Sequence, residues 1–286
     1  MFCVGLKYLR LGLGTLILVL WSNAAQAGPS DQILLNISVT NTQGTSSDVA
    51  FGPVYFAFHN GNFDPFDLGR EPSPEFTQQF ARDGYSSFTS LDGILTNSNA
   101  NGVSHVLRNE RPSVDGEFQA TDSGSFNVVV DRNQQSELFF FSRVLPSNDA
   151  FFGSDNSFDL NSLAEGATIT FRIVSADIFD ADVFNNGTGT ADFEAGVFPI
   201  TPIGESDPSG VSQADPDYFL VFDNIELQNG VKFSAPRLDG FFELGTITIT
   251  FVATVAEPGM VGIGAIGIFG FVMLRRRQRL KNQLPA

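Results

Sequence analysis

Alternation of apolar and polar residues dominates the chain. Ile33-Leu34-Leu35-Asn36-Ile37-Ser38-Val39-Thr40 alternates after its first apolar residues, the pattern of a strand with one buried face. Val54–Phe58, Ser125–Val130, Thr168–Val174, Tyr218–Phe222 and Gly245–Val255 read as further strands, with a polar turn at Asp131–Ser136. Leu138–Leu145 is strongly apolar and reads as a central strand. One helix is predicted over Ser73–Asp83. Ser73 can cap it, Pro74 suits the first helical position, and Phe76 and Phe80 share a face. Many strands punctuated by Gly, Asn, Asp and Pro, with little helix, predict an all-β fold. Its expected form is an antiparallel β-sandwich with one or two short helices. The polar segment Thr201–Asp217, rich in Pro, Gly, Ser and Asp, is expected to be a long surface loop.

The two ends break this pattern. Lys7 and Arg10 precede an apolar run, Leu11–Trp21, and then Ala25-Gln26-Ala27-Gly28 supplies a small-x-small site. This is the layout of a secretory signal peptide, with cleavage expected between Ala27 and Gly28. At the other end, Pro258 to Leu274 carries no charge over 17 residues, about 26 Å as a helix. Gly259, Gly262, Gly264, Gly267 and Gly270 are tolerated in lipid, and the basic cluster Arg275–Lys281 predicts a cytoplasmic stop.

The Glu257-Pro258 pair, the glycine-rich span and the terminal arginine cluster resemble a PEP-CTERM sorting signal, with Ala256 where the family has its first proline. The resemblance implies an exosortase-type processing enzyme that removes the tail, in a Gram-negative-type bacterium that makes exopolysaccharide. The expected organisation is a signal peptide over 1–27, a β-sandwich domain over 28–256 and a sorting and anchor segment over 257–281.

Trimming both ends sharpens the charge balance. Of 16 Lys and Arg, two leave with the signal and five with the tail. Nine remain against the 32 Asp and Glu of residues 28–257, a formal net charge of −23. Such a surface repels nucleic acid and anionic lipid and attracts divalent cations. Cys3, the chain's one cysteine, leaves with the signal, so disulfide and thiol chemistry are not expected in the mature protein.

Three loops concentrate candidate chemistry. His59-Asn60-Gly61-Asn62-Phe63-Asp64-Pro65-Phe66-Asp67-Leu68-Gly69 is dense in turn formers, and Asn and Asp side chains alone can hold such a turn. Leu145–Gly153, with Asp155 and Asp159 just beyond, follows the most apolar strand, and Ser175–Asp182 follows Thr168–Val174. Carboxylates in loops at strand ends are how a sandwich assembles a calcium site, because calcium takes six to eight hard oxygens. Solvated acidic loops give the same sequence pattern. The EF-hand spacing is absent.

His59–Asp64, Pro146-Ser147-Asn148-Asp149-Ala150-Phe151 and Phe179-Asp180-Ala181 resemble the spondin domain, over about Leu34–Phe193 and more weakly to Val255. The resemblance implies a β-sandwich similar to calcium-dependent membrane-binding domains, with Ca2+ held by acidic residues. Position by position it implies Asp149 and Asp180 as ligands. The third family position falls on Val130, with Asp131 adjacent, so a one-residue bulge would make Asp131 the ligand; Asn127 is a weaker candidate. The disulfides of animal spondin domains are absent.

The function expected is a non-catalytic, calcium-binding adhesion or extracellular-matrix module, with exopolysaccharide or surface proteins as partners. Two alternatives carry distinct signatures. A nucleophilic hydrolase needs a Ser or Cys with a positioned base, and His59 and His105 lack a Gly-x-Ser-x-Gly partner. A carboxylate-pair polysaccharide hydrolase is compatible with the residue counts. A metal-free biofilm scaffold with solvated acidic loops is the third reading.

Overall fold

The computed structural model describes residues 31–44, 49–70, 73–81, 87–98, 101–110, 116–145, 147, 149–181, 211–213, 234 and 242–255. The expected signal peptide, its cleavage site at Ala27 and Gly28, the strand at Tyr218–Phe222, the Glu257-Pro258 motif and the 258–274 span lie outside these residues. Among the described residues no helix is long and apolar enough to cross a membrane. Contacts divide the chain into one unit of Ile33–Ala253 and another of Met1–Gln32 with Thr254–Ala286. The fold described here is that of the first.

Among the described residues, twelve strands form two sheets. β1 (Gln32–Asn41), β5 (Ser123–Asp131), β9 (Thr168–Val174) and β12 (Glu243–Thr254) form the first, in the order β5-β1-β12-β9. The second follows the path β11-β10-β7-β6-β3-β4. It comprises β3 (Val54–His59), β4 (Val103–Leu107), β6 (Glu137–Leu145), β7 (Ala150–Gly153), β10 (Ile178–Asp180) and β11 (Ser212–Gln213). Short β2 (Ala50–Phe51) and β8 (Phe158–Asp159) pair with β6. The ladders β3–β4, β3–β6, β6–β7, β7–β10 and β9–β12 are antiparallel. The all-β, antiparallel sandwich expected from the alternation is the observed architecture.

Alternation along each strand decides where its side chains go. In β1, Ile33, Leu35, Ile37 and Val39 are buried while Leu34, Asn36, Ser38 and Thr40 are partly exposed. In β12, Ile247, Ile249 and Phe251 are buried between the polar threonines. These side chains meet Phe56, Phe58, Leu138, Phe140, Val144 and Phe152 from the second sheet in one inter-sheet core.

The central strands of the second sheet, β3 and β6, have no polar face. All six residues of β3 are buried, as are eight of the nine in β6. Tyr55, Ala57, Phe139, Phe141, Phe151 and Phe179 point away from the inter-sheet core into a second apolar cluster. There they meet Phe63 and Phe66 of the loop after β3, Val211, and two helices, α1 (Pro74–Ala81) and α2 (Thr89–Ser98). Edge-to-face aromatic contacts hold this layer, with Phe66 on Phe151 at 4.9 Å and Phe76 on Phe151 at 5.6 Å.

α1 begins as its sequence predicts. The Ser73 hydroxyl accepts from the Phe76 amide at 3.1 Å, and Pro74 occupies the first turn. α2 buries Leu91 and Leu95, one turn apart, and its Asp92 accepts from the Tyr55 hydroxyl of β3 at 3.0 Å. The segment expected as a long loop at Thr201–Asp217 contains more order than its composition suggests. Val211 is fully buried, bonds to Gly69 and Arg70, and leads into β11, which extends the sheet at β10.

Candidate functional site

The loops singled out by their carboxylates separate to the two ends of β6. At its N-terminal end stand the loops after β3, β5 and β7. At its C-terminal end stands the Ser147–Ala150 turn.

At the first end, His59 closes β3 opposite Glu137 and is fully buried. Its Nδ1 accepts from the Gly61 amide at 3.1 Å, so the ring proton sits on Nε2, which lies 2.9 Å from the Ser157 hydroxyl. Burial lowers its pKa to about 4. A neutral imidazole whose Nε2 already carries the proton donates to Ser157 and does not withdraw the hydroxyl proton from it. The pair therefore fastens two loops and lacks the tautomer of a general base.

Asp64, Asp67 and Asp155 gather beside it. The Asp64 carboxyl is pushed up, first by burial, then by Asp67 and Asp155, with Arg70 opposing. Glu137 is pushed up in the same way, by burial and then by Asp159. The Asp155 carboxylate accepts from the Leu68 amide at 3.2 Å, and Arg70 pairs with Asp67. Asp131 belongs to this end too. It folds over its own turn, accepting from the Asn133 amide at 3.0 Å, while its amide donates to Gln135. This is the side-chain-held turn that Asp forms on its own.

At the opposite end, Asp149 and Asp180 are neighbours. Asp180 pairs with Ala150 across β7 and β10, and the Ala181 amide donates to the Asp149 carbonyl at 3.3 Å. Both aspartates are buried, with 0% and 4% exposure. Ser147 builds the approach, its hydroxyl accepting from the Ala150 amide at 3.0 Å and lying 3.2 Å from an Asp149 carboxylate oxygen. Alternation puts Asp180 on the inter-sheet side with Ile178, whereas Asp149 stands before β7 begins.

Arg143 in β6 is also buried, with 1% exposure, and pairs across the ladder with Phe151 of β7. Interior charges persist where they are paired. Arg143 was legible in principle, because a lone charge inside a strand buried on both faces requires a partner.

The structure thus brings two of the three expected ligands together and places Asp131 at the far end of β6, a nine-residue strand of about 27 Å. Among the described residues no three His, Cys, Asp or Glu side chains form a group that could hold a metal ion. A cation at Asp149 and Asp180 would have to complete its shell with hydroxyl, carbonyl and water oxygens. Asp149 and Ser147 supply oxygens of that kind. Neither family models nor the curated proteins give a match to this chain.

Proposed function

We propose that the chain is an exported, non-catalytic, calcium-binding adhesion or matrix module, delivered to the cell envelope by its signal peptide and an exosortase-type sorting step. The observation that carries the reading is the pair of buried aspartates, Asp149 and Asp180, side by side at the end of β7 and β10. Buried carboxylates at strand ends are oxygen ligands of the kind a hard divalent cation takes. The −23 charge of the expected mature chain draws such cations in. The neutral, Nε2-protonated His59 beside Ser157 supports a binding role, since the one Ser–His contact at this end lacks a base.

The test is calcium titration of the purified chain, followed by calorimetry and by melting temperature. Binding heat and a raised melting temperature are expected, both lost in Asp180→Asn. Absence of both in the wild type would leave the two buried aspartates in a purely structural role and support the scaffold reading.

A further inference from the structure

A cleft opens between the two sheets along edge strand β9. Its volume is 510 Å³, within the range of about 300–1,000 Å³ typical of small-ligand sites. Phe158 and Phe171, edge to face at 5.4 Å and only half buried, supply the aromatic surface, above the buried Phe140 and Phe152. Polar groups complete the lining: Ser154, Asp155, Asn156, Thr170, Arg172 and Asp177.

The chemistry of that lining selects a ligand class. Asp155 and Asp177 repel anions, as does the acidic chain as a whole, and each already accepts a backbone amide, Asp155 from Leu68 and Asp177 from Val174, so neither calls for a cation. A purely apolar molecule would strand the carboxylates, amide and hydroxyls from water without giving them partners. A neutral ligand with an apolar face for the rings and hydroxyls for both donors and acceptors satisfies every part of the lining. The geometry points to a neutral saccharide, lying with its C–H face on Phe158 and Phe171 and its hydroxyls toward Ser154, Asp155 and Asn156. This deepens the matrix-module reading by naming what the module grips, while the cleft residues are distinct from Asp149 and Asp180.

The test is a screen of neutral, anionic and cationic oligosaccharides against the purified full chain in a detergent without sugar headgroups, with affinities measured by calorimetry. A neutral oligosaccharide is expected to bind, with affinity reduced about tenfold or more by Asn156→Ala and by Phe171→Ala. Asn156 lies on an exposed loop, so its variant keeps the test valid if Phe171→Ala fails to fold. Thr248→Ala, on the open face of the first sheet, should bind as the wild type does. No neutral saccharide bound, preference for a charged one, or undiminished binding by Asn156→Ala would each overturn the assignment. Chelation of calcium separates the two proposals. Saccharide binding that survives chelation, in a chain showing no calcium heat, would sink the calcium reading and leave the cleft assignment standing.

Discussion

The first sheet buries one face and the second buries both, and the sequences of their strands differ accordingly. β12 reads Thr-Ile-Thr-Ile-Thr, with each isoleucine buried and each threonine partly exposed. β6 reads Leu-Phe-Phe-Phe-Ser-Arg-Val-Leu with every one of those residues buried. A sheet covered on both sides gives near-continuous apolar runs even when its ladders are antiparallel, because burial rather than strand direction removes the alternation. The covering layer on the outer side is largely phenylalanine from β6, β7, the loop after β3 and the two helices. Polar groups inside so dry a layer must be matched. Ser142 donates to the Gly52 carbonyl at 3.0 Å.

The comparison breaks most directly at the outer layer. Phe151→Ala removes a ring that touches Phe66, Phe76, Phe141 and Phe179, and should cost about 3–5 kcal/mol. Its inner-face neighbour Phe152→Ala should cost a similar amount, measured by denaturant unfolding. A loss under about 1 kcal/mol for Phe151→Ala would mean that the helices and the loop after β3 are an ornament on a one-faced sheet.

Acid should act next, through the end of the second sheet. His59 in the folded chain resists protonation down to about 4, whereas the unfolded chain takes the proton near 6.5, as a free imidazole side chain does. The unfolded state therefore binds more protons between those values, and stability present above pH 6.5 is lost as pH falls toward 4. The linkage amounts to about 3 kcal/mol. Asp64 and Glu137 work in the opposite sense, since carboxyls raised in the fold favour it at low pH and lose that contribution as pH rises through their raised values. His59→Gln isolates the histidine. Its stability should be lower at neutral pH and vary less between pH 7 and 4.5, and an unchanged slope would remove His59 from the account.

Much of this division was legible in the chain. The alternation of β1, β9 and β12 and the apolar run of β6 appear directly in the sequence, as do the Ser73 cap and Pro74. What stayed hidden was short or borrowed its stability from elsewhere. β7 and β10 have four and three residues, too few for a period to register, and their flanking aspartates read as loops. α2 carries Gly93 and a polar majority, and it is held by Leu91, Leu95 and the Tyr55–Asp92 bond rather than by propensity. Val211 sits in a polar segment and is buried only because the second sheet has an outer layer to receive it. The adjacency of Asp149 and Asp180 is a property of the β7–β10 ladder, so spacing along the chain could not reveal it. Placement of Asp131 beside them required the opposite end of β6.

Within the first sheet, the closest approach lies at Gly245. A Cβ there would stand 2.5 Å from the Thr40 carbonyl oxygen of β1, where the β12–β9 register also shifts. Backbone cannot yield as a side-chain tip can, so Gly245→Ala should cost about 1–3 kcal/mol through displacement of the β1–β12 ladder. Hydrogen exchange should then quicken in β1 and β12 ahead of β3 and β6. Equal acceleration in both sheets would show that the inter-sheet core, rather than this ladder, carries the strain.

The smallest effect belongs to the open face of the first sheet. There Thr168 meets Thr250 at 3.0 Å and Thr170 meets Thr248 at 3.1 Å, hydroxyl to hydroxyl, while Arg172 donates to Glu243 at 2.8 Å beyond them. These are cross-strand pairs in contact with water, each worth about 0.2–1 kcal/mol. Thr248→Ala should fall within about 0.5 kcal/mol of wild type, and the double-mutant cycle with Thr170→Ala should return a coupling of a few tenths of a kcal/mol. The same substitution is near neutral only because nothing covers this face. A coupling above about 1.5 kcal/mol would mean that the threonine ladder is desolvated in solution, as the outer face of the second sheet is, and the contrast between a one-faced and a two-faced sheet would no longer hold.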